Sequence, residues 1–280
     1  MVFLAEFIAV ATPGPLHSAK VTEVQNDVRL QEEAAQAAAS ADQDPAPYRS
    51  PAKAPTRPAE VGDLIKGGRL ISTGKASRAE LLFNDNTITR LGANSIFTFR
   101  TGSRNVHLSS GFILLHTPKG NGGATITTPT ATATVLGTTI MLSVLPDGGV
   151  KMLILEGTGT LAYHGQTETL KAGQVSIFTP GQGISVPTTI DLKKLTETSS
   201  MLKSFSGPLG SEQEIQDAIE AQQHLLASGE LNISGDANGL QFVTDSGAAS
   251  AIQSQSRQPQ STPPPTAPPQ GGGQTGGPGR

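Results

Sequence analysis

The chain has 280 residues, a formal net charge of −3 and a pI near 6.0, and this slightly acidic balance argues against a nucleic-acid binder, which usually carries a basic face. It contains no cysteine, which excludes disulfides, thiolate metal sites and cysteine nucleophiles. Aromatic residues make up only 4%, whereas 32 glycines and 20 prolines collect at the ends and in turns, so only part of the chain is core material.

The N-terminal residues 1–19 have the outline of an export signal. An apolar run interrupted by Glu6 leads to a Pro-Gly-Pro breaker and then to the small residues Ser18 and Ala19, as before a cleavage point. The stretch lacks Lys and Arg, so an ordinary disordered N-terminus is the alternative. No apolar run approaches the ~18 residues that a spanning helix needs, and we predict no integral membrane segment.

The next two segments differ sharply in composition. Residues 20–31 are rich in Val and Thr around a turn-like Asn26-Asp27, which favours a short hairpin or, as we prefer, a strand that leads into the β domain. Residues 32–59 are first rich in alanine and then in proline. They predict an insertion or exposed linker.

Residues 60–187 alternate with a period of two in many short runs, most clearly at 124–144. Within that run, Gly137 has no side chain to pack and marks a bulge or a bend where another backbone comes close. Many short strands between Gly, Asp and Pro turns predict an all-β, antiparallel-rich sandwich, barrel or short solenoid. Connections too short for crossover helices exclude a doubly wound α/β fold.

The hairpin around Asp85 is the most specific local prediction. The strand at 77–83 presents Ala79, Leu81 and Phe83 on one side, and folding about Asp85 places Glu80 opposite Arg90. The resulting cross-strand ion pair should contribute ~0.2–1 kcal/mol. Further strands are predicted at 95–100, 105–108, 112–116, 150–156, 158–164, 167–170 and 175–179.

The period changes to that of helices in residues 188–245. Asp191 should cap a first helix with Leu192, Leu195 and Leu202 on its apolar side. Ser211 and Glu214 read as a capping box for a second helix. Its expected apolar stripe and end are Ile215, Ile219, Leu226 and Gly229. Residues 231–244 could add a hairpin, and the Ser, Gln, Pro and Gly residues of 246–280 predict a disordered tail.

No residue pattern points to catalysis, a cofactor or a metal. His107 and His116 could approach each other if their strands pair, but two ligands do not make a catalytic metal site. The Gly-rich loop at 119–123 could hold an anion on its backbone N–H groups, although a hairpin connection that needs unusual backbone angles is the preferred explanation. Carboxylates occur mostly at turns and strand ends, and a glycosidase would need two of them facing each other. They are Asp63, Asp85, Asp147, Glu156 and Glu168.

The motifs of residues 60–187 together resemble the FecR domain, the extracytoplasmic part of bacterial iron-transport regulators. The resemblance comes from a Gly-Asp opening, a Thr-Gly turn, an A-x-L-x-F strand, an Asp/Asn turn before R-L-G, and later Gly-Thr, Glu-Gly and Lys-Ala-Gly-Gln pieces. We predict structural roles for Gly62, Asp63, Thr73, Gly74, Glu80, Asp85, Arg90, Gly137, Thr138, Glu156, Gly157 and Gly173.

The resemblance implies a periplasmic or extracellular β domain that binds something and is not an enzyme. Family members relay the state of an outer-membrane receptor through a membrane helix to a sigma-factor-binding segment, and this chain lacks those parts of the pattern. We therefore expect a binding or scaffold module that contacts an envelope protein or cell-surface glycan. The alternatives are a signal-relay component whose membrane and cytoplasmic parts lie on another chain, and an unrecognised hydrolase.

Overall fold

The computed structural model describes residues 14–31 and 55–233, which contain eighteen strands and three helices. The strands are β1 Ser18–Gln25, β2 Val28–Gln31, β3 Thr56–Pro58, β4 Leu64–Lys66, β5 Ile71–Thr73, β6 Arg78–Phe83, β7 Ile88–Leu91, β8 Ile96–Phe99, β9 Asn105–His116, β10 Ala124–Thr127, β11 Thr132–Val135, β12 Thr139–Val144, β13 Val150–Glu156, β14 Thr158–Tyr163, β15 Gln166–Lys171, β16 Gln174–Thr179, β17 Gly183–Ile184 and β18 Thr188–Thr189. The helices are α1 Leu192–Thr198, α2 Ser200–Lys203 and α3 Glu212–Ala227.

The strands form one hydrogen-bonded network that folds into two layers sharing β9. The inner sheet has the order β4–β1–β6–β7–β9–β12–β13–β16, with β17 and β18 on the far side of β16. The outer sheet has the order β3–β2–β5–β8–β9–β10–β11–β14–β15. All these pairs are antiparallel except β9–β10. The all-β prediction is confirmed, and among its three options the fold is a sandwich.

Alternate residues of both sheets point into one shared core, as the period of two requires. The inner sheet contributes residues such as Leu81 and Ile113, and the outer sheet contributes residues such as Phe97 and Leu108. Each of these four side chains is fully excluded from solvent. Packing the two sheets face to face buries the apolar side of each alternating strand.

Strand β9 passes from one sheet to the other at Gly111. Residues 106–110 pair with β8 in the outer sheet, and residues 111–116 pair with β12 in the inner sheet. Gly111 has φ +86°, and a Cβ there would lie 2.4 Å from the Cα of Ser95. The two strands predicted at 105–108 and 112–116 are therefore one continuous strand that bends at a glycine.

The predicted leading strand at 20–31 is in fact two strands on opposite sheets. β1 pairs with β4 and β6, whereas β2 pairs with β3 and β5, so the hairpin alternative is wrong. Asn26, with φ +62°, turns the chain between the sheets, because asparagine tolerates the left-handed region. Residues 56–58, within the segment predicted as a linker, form β3 beside β2.

Gly137 marks a second passage between sheets, from β11 in the outer sheet to β12 in the inner sheet. Its φ is +59°, and a Cβ there would lie 2.8 Å from the Cα of Lys119. The close backbone approach predicted at this glycine is confirmed.

The three helices cover the second face of the inner sheet and form a third layer. Leu114, Leu153 and Leu155 of that face pack with Leu192 and Ile215 of the helices in a second apolar cluster. The inner sheet is thus buried on both faces, which explains why β13 is buried along its whole length.

The observed helix boundaries agree in part with those predicted from the sequence. The carboxylate of Asp191 accepts the N–H of Lys194 at 2.9 Å, as predicted for a cap. The predicted first helix breaks at Ser199, and Leu202 lies in the separate helix α2. The predicted two helices are therefore three.

The capping box at the start of α3 does not form. Ser211 occupies the N-cap position, but its hydroxyl contacts Thr139 of the inner sheet at 2.7 Å instead of a helix N–H. Glu212 accepts the free N–H groups just before the helix, those of Leu209 and Gly210. Gly229, with φ +75°, follows the end of the helix as predicted.

Several predicted segments lie wholly or mostly outside the described residues. These are the signal peptide at 1–19, of which only 14–19 are described, the hairpin at 231–244 beyond residue 233, and the tail at 246–280. Within 14–31 and 55–233, no helix has the length and apolar character needed to cross a bilayer.

Candidate contact surfaces

The predicted pair of Glu80 and Arg90 forms, but in the interior of the protein. The two residues are opposite each other on β6 and β7, and Arg90 Nε lies 2.8 Å from Glu80 Oε2. The side chains are only 7% and 2% exposed. A buried ion pair differs from the surface pair expected from the sequence, because removing one partner leaves the other charge without compensation.

Arg90 also holds the helical layer against the inner sheet. Its two terminal nitrogens donate to the carbonyl oxygens of Met201 at 3.0 Å and Gly207 at 2.7 Å. Its guanidinium lies 4.6 Å from the centre of the Phe205 ring, a cation–π distance. We call this arrangement the arginine clamp. It connects a β-hairpin with α2 and with the segment that follows α2.

A second polar cluster lies under the start of α3. The hydroxyl of Thr139 contacts His116 Nδ1 at 2.9 Å, donates to Glu156 Oε1 at 2.9 Å, and lies 2.7 Å from the Ser211 hydroxyl. Burial raises the pKa of Glu156 and lowers the pKa of His116. Each shift disfavours the charged form of its group, and the Thr139 hydroxyl connects both side chains with the start of α3.

Lys151 lies on the helix-facing side of β13, one residue from the core-facing Met152. Lys151 is only 1% exposed, and burial lowers the pKa of its amino group to about 8 from the ordinary value of 10.5. Because the folded pKa is the lower one, the unfolded chain binds the extra proton between these values. The contribution of Lys151 to stability is therefore full above pH 10.5 and is lost as the pH falls through about 8.

Replacing Lys151 with methionine should remove this pH dependence. The free energy of unfolding of the natural protein, relative to that of K151M, is expected to rise by about 2 kcal/mol from about pH 7.5 to about pH 10. Urea denaturation at a series of pH values measures it. K171M, at an exposed lysine of β15, is the matched control and should follow the natural protein. Parallel pH curves for K151M and the natural protein would contradict the assignment.

Two more predicted structural carboxylates lie in ion pairs at turns. Asp63, after Gly62, receives both terminal nitrogens of Arg57 at 2.7 Å, and this hydrogen bonding lowers its pKa. Asp85 pairs with Arg104 at 2.7 Å and accepts the N–H of Thr87 at 3.0 Å.

The remaining predicted structural residues lie at corners of the sandwich. Thr73 receives the N–H of Ser95 at 2.9 Å, and the N–H of Gly74 donates to Asp27 at 2.8 Å. Thr138, beside Gly137, donates its hydroxyl to Thr158 at 2.8 Å.

Two further predicted glycines lie beside close neighbours. Gly157 has φ +80°, and a Cβ there would lie 2.8 Å from the Thr138 hydroxyl. At Gly173 a Cβ would lie 2.3 Å from Gln222 of α3.

The structure does not bring the candidate chemical groups together. His107 and His116 lie on the same strand in different sheets, so the two-histidine site is wrong. Asp147 closes a turn by accepting the N–H of Gly149, and Glu168 lies on β15. In the described part of the chain, no three His, Cys, Asp or Glu side chains are grouped to hold a metal ion.

The outward side of the outer sheet carries an array of threonines that the sequence analysis missed. Four successive strands of this sheet, β10, β11, β14 and β15, each present a Thr-x-Thr pair. The pairs are Thr125 and Thr127, Thr132 and Thr134, Thr158 and Thr160, and Thr167 and Thr169. We call this surface the threonine face. The repeated spacing is visible in the sequence, but only strand pairing shows that the pairs share one surface.

One row of the threonine face runs straight across all four strands. Thr125 is opposite Thr134, Thr134 is opposite Thr160, and Thr160 is opposite Thr169. The second row contains Thr127, Thr132, Ala162 and Thr167. None of these positions is charged, and each side chain is exposed or half-buried.

A shallow groove lies at the end of the second row. Its volume is about 380 Å³, and its lining includes Thr132, Thr167, Tyr163, His164 and Gln166. At the groove, Tyr163 packs against the core with its ring centre 4.1 Å from that of Phe178, and His164 and Gln166 are exposed.

Comparison with known proteins finds a family match in the middle of the chain. Residues 69–158 match the family described as FecR protein, which confirms the resemblance over that segment. No curated protein matches the chain. Two crystal structures of a candidate anti-sigma factor from Parabacteroides distasonis ATCC 8503, at 1.65 Å and 2.50 Å, are 18% identical with a TM-score of 0.41. The match covers 45% of this chain and 62%, less than two thirds, of theirs.

Proposed function

We propose that the chain is a FecR-type regulatory module that works by contact outside the cytoplasm, since residues 69–158 match the FecR protein family. Its partner in this proposal is an envelope protein or a cell-surface glycan, and it catalyses no reaction. The family match supports the regulatory part of this proposal. The division of the sandwich into a covered and an open side supports the contact part.

The observation that carries the proposal is the threonine face. Within residues 14–31 and 55–233, the helices cover the inner sheet, and the apolar cluster that they form with it contains no residue of the outer sheet. The arginine clamp anchors the helical cover by two hydrogen bonds from one buried side chain. Because the helices lie on the other side, the outward side of the outer sheet stays open, which is a suitable surface for recognition.

A signal-relay role, with the membrane and cytoplasmic parts on another chain, is the second candidate. The observation in its favour is the clamp, because a helical cover fastened to a hairpin through one arginine could transmit a displacement between the two. Such a role would predict that binding on the outer sheet alters the helical layer. Hydrogen exchange of residues 201–207, with and without partner, measures that coupling.

The test of the contact role uses the full chain as bait on an envelope fraction. Residues 60–187 alone are unsuitable bait, because β1 and β2 pair with strands of both sheets. We expect retention of an envelope component, and parallel fractions treated with protease or with periodate decide between a protein and a glycan. Cell fractionation should place the chain outside the cytoplasm. Recovery with the cytoplasmic fraction, bound to RNA polymerase subunits, would contradict the proposal.

A further inference from the structure

We propose that β4, at the edge of the inner sheet, binds an extended acidic segment of another protein, which pairs with it as an additional strand. This inference goes beyond the proposed function, because it concerns a different surface from the threonine face. We call the site the β4 edge. It consists of Leu64 and Lys66 of β4 together with Lys20 of β1.

The backbone of β4 has hydrogen-bonding groups that face outward. Among the described strands, β4 pairs with β1 alone. The N–H of Val21 donates to the carbonyl oxygen of Asp63 at 2.9 Å, just beyond the opposed residues Lys20 and Leu64. In an antiparallel ladder, the N–H and C=O of Leu64 therefore point away from β1. An extended segment can pair with such groups by main-chain hydrogen bonds, as in other cases of strand addition.

An apolar strip leads from the β4 edge to the helical layer. Leu64 is opposite Lys20, and Lys20 is opposite Leu82. Leu82 is opposite Ile88, which packs against the apolar cluster under the helices. Leu64 is 64% exposed and Leu82 is half-buried. The helices thus leave this end of the sheet face open, and a strand added to β4 would cover one flank of Leu64.

The two lysines select the charge of the partner. Lys20 and Lys66 are exposed, and neither forms an ion pair within residues 14–31 and 55–233. In an added strand, the residue opposite Lys66 would lie about 5 Å from it between Cβ atoms. Lys20, one strand further in, can reach across Leu64 on its flexible stem. Carboxylates in the added strand would therefore form cross-strand ion pairs with both lysines.

The same lysines argue against a second copy of this chain as the partner. Antiparallel pairing of two β4 strands about Ile65 would place Lys66 of each copy opposite Leu64 of the other and close to its Lys20. Like charges in such positions destabilise pairing, and lysines on an edge strand commonly prevent self-association. The β4 edge therefore favours an acidic strand from another protein.

The experiment measures binding of the full-length protein to a fluorescein-labelled peptide, Glu-Val-Glu-Val-Glu-Val-Glu, by fluorescence anisotropy. The variant K20E/K66E should bind it about 10-fold more weakly, since attractive pairs become repulsive. The same variant should gain binding of the corresponding lysine–valine peptide. K193E/K203E, at exposed lysines of α1 and α2, makes the same change in net charge and is the matched control, which should bind the acidic peptide normally.

A second variant tests the backbone part of the inference. L64P removes an N–H that lies outside the ladder with β1, and proline is tolerated on edge strands when its missing N–H would face solvent. We expect L64P to bind the acidic peptide more weakly than the natural protein does. Equal binding by L64P, with its circular dichroism and unfolding midpoint preserved, would exclude strand pairing at this edge.

Three further results would overturn the inference. They are absence of acidic-peptide binding by the natural protein, equal binding by K20E/K66E, and an equal loss in K193E/K203E, which would indicate general charge attraction. None of these results affects the proposed function, because the threonine face lies on the other sheet. Failure of the envelope fraction to yield any component would contradict the proposed function whether or not the peptide binds.

Discussion

Replacing Arg90 with alanine is expected to lower the free energy of unfolding by about 3–5 kcal/mol, the usual cost of breaking a buried ion pair. The variant leaves the carboxylate of Glu80, only 7% exposed, without its cation. It also removes the donors to the carbonyl oxygens of Met201 and Gly207. Denaturant unfolding monitored by circular dichroism measures the loss.

Two further variants separate the buried charge from the clamp. Arg29 pairs with Asp27 at the surface, with side chains 47% and 60% exposed, so R29A should cost at most about 1 kcal/mol. The double variant E80L/R90L leaves no orphan charge and should be more stable than R90A. An R90A protein within about 1 kcal/mol of the natural one would show that the pair is not a major determinant of stability.

Replacing Gly111 with alanine is expected to lower the free energy of unfolding by about 2–5 kcal/mol, from left-handed strain and overpacking together. The added Cβ would lie 2.4 Å from the Cα of Ser95, which is backbone and cannot move aside as a flexible side chain would. The Ser95 hydroxyl accepts the N–H of Phe112 at 3.0 Å, so any shift also breaks the contact that supports the bend of β9. Thermal and urea denaturation both measure the effect.

Gly102 provides the control for backbone strain alone. Its φ is +78°, similar to that of Gly111, but a Cβ there would meet nothing within 4 Å. G102A should therefore cost about 1–2 kcal/mol. Equal losses for G111A and G102A would show that the close approach at the passage between sheets does not matter.

Local patterns predicted local structure well. The hairpin around Asp85 and the pairing of Glu80 with Arg90 followed from residues ten apart in the chain, and both are confirmed. The burial of that pair could not be predicted, because it depends on Met201 and Gly207, which are more than a hundred residues away. The predicted contribution of ~0.2–1 kcal/mol is typical of an exposed cross-strand pair. In the buried pair, removal of one partner leaves an uncompensated charge, which the local pattern does not show.

The wrong predictions have a common cause, which is that residues far away in the sequence provide hydrogen-bond partners to the same side chains. Ser211 has the residue type and spacing of a helix cap, but its hydroxyl forms a hydrogen bond with Thr139, 72 residues earlier in the chain. The stripe of α3 includes the buried Gln222, which bonds with Leu192 and Ile190, where hydrophobicity alone selected Leu226. Polar groups bind the partner that the packed layers bring nearest, and spacing within a segment does not contain that information.

By itself the sequence determined the all-β class, the FecR resemblance and the turns, since alternation and glycine placement act through neighbours in the chain. The tertiary structure alone decided that there are two sheets sharing one strand, a helical cover held by Arg90, and a row of threonines that crosses four strands. Those features arise from contacts between strands far apart in the chain, and burial of each sheet face selects the register. The repeated Thr-x-Thr spacing can therefore be seen in the sequence, but only the pairing of β10, β11, β14 and β15 shows that these threonines share one surface.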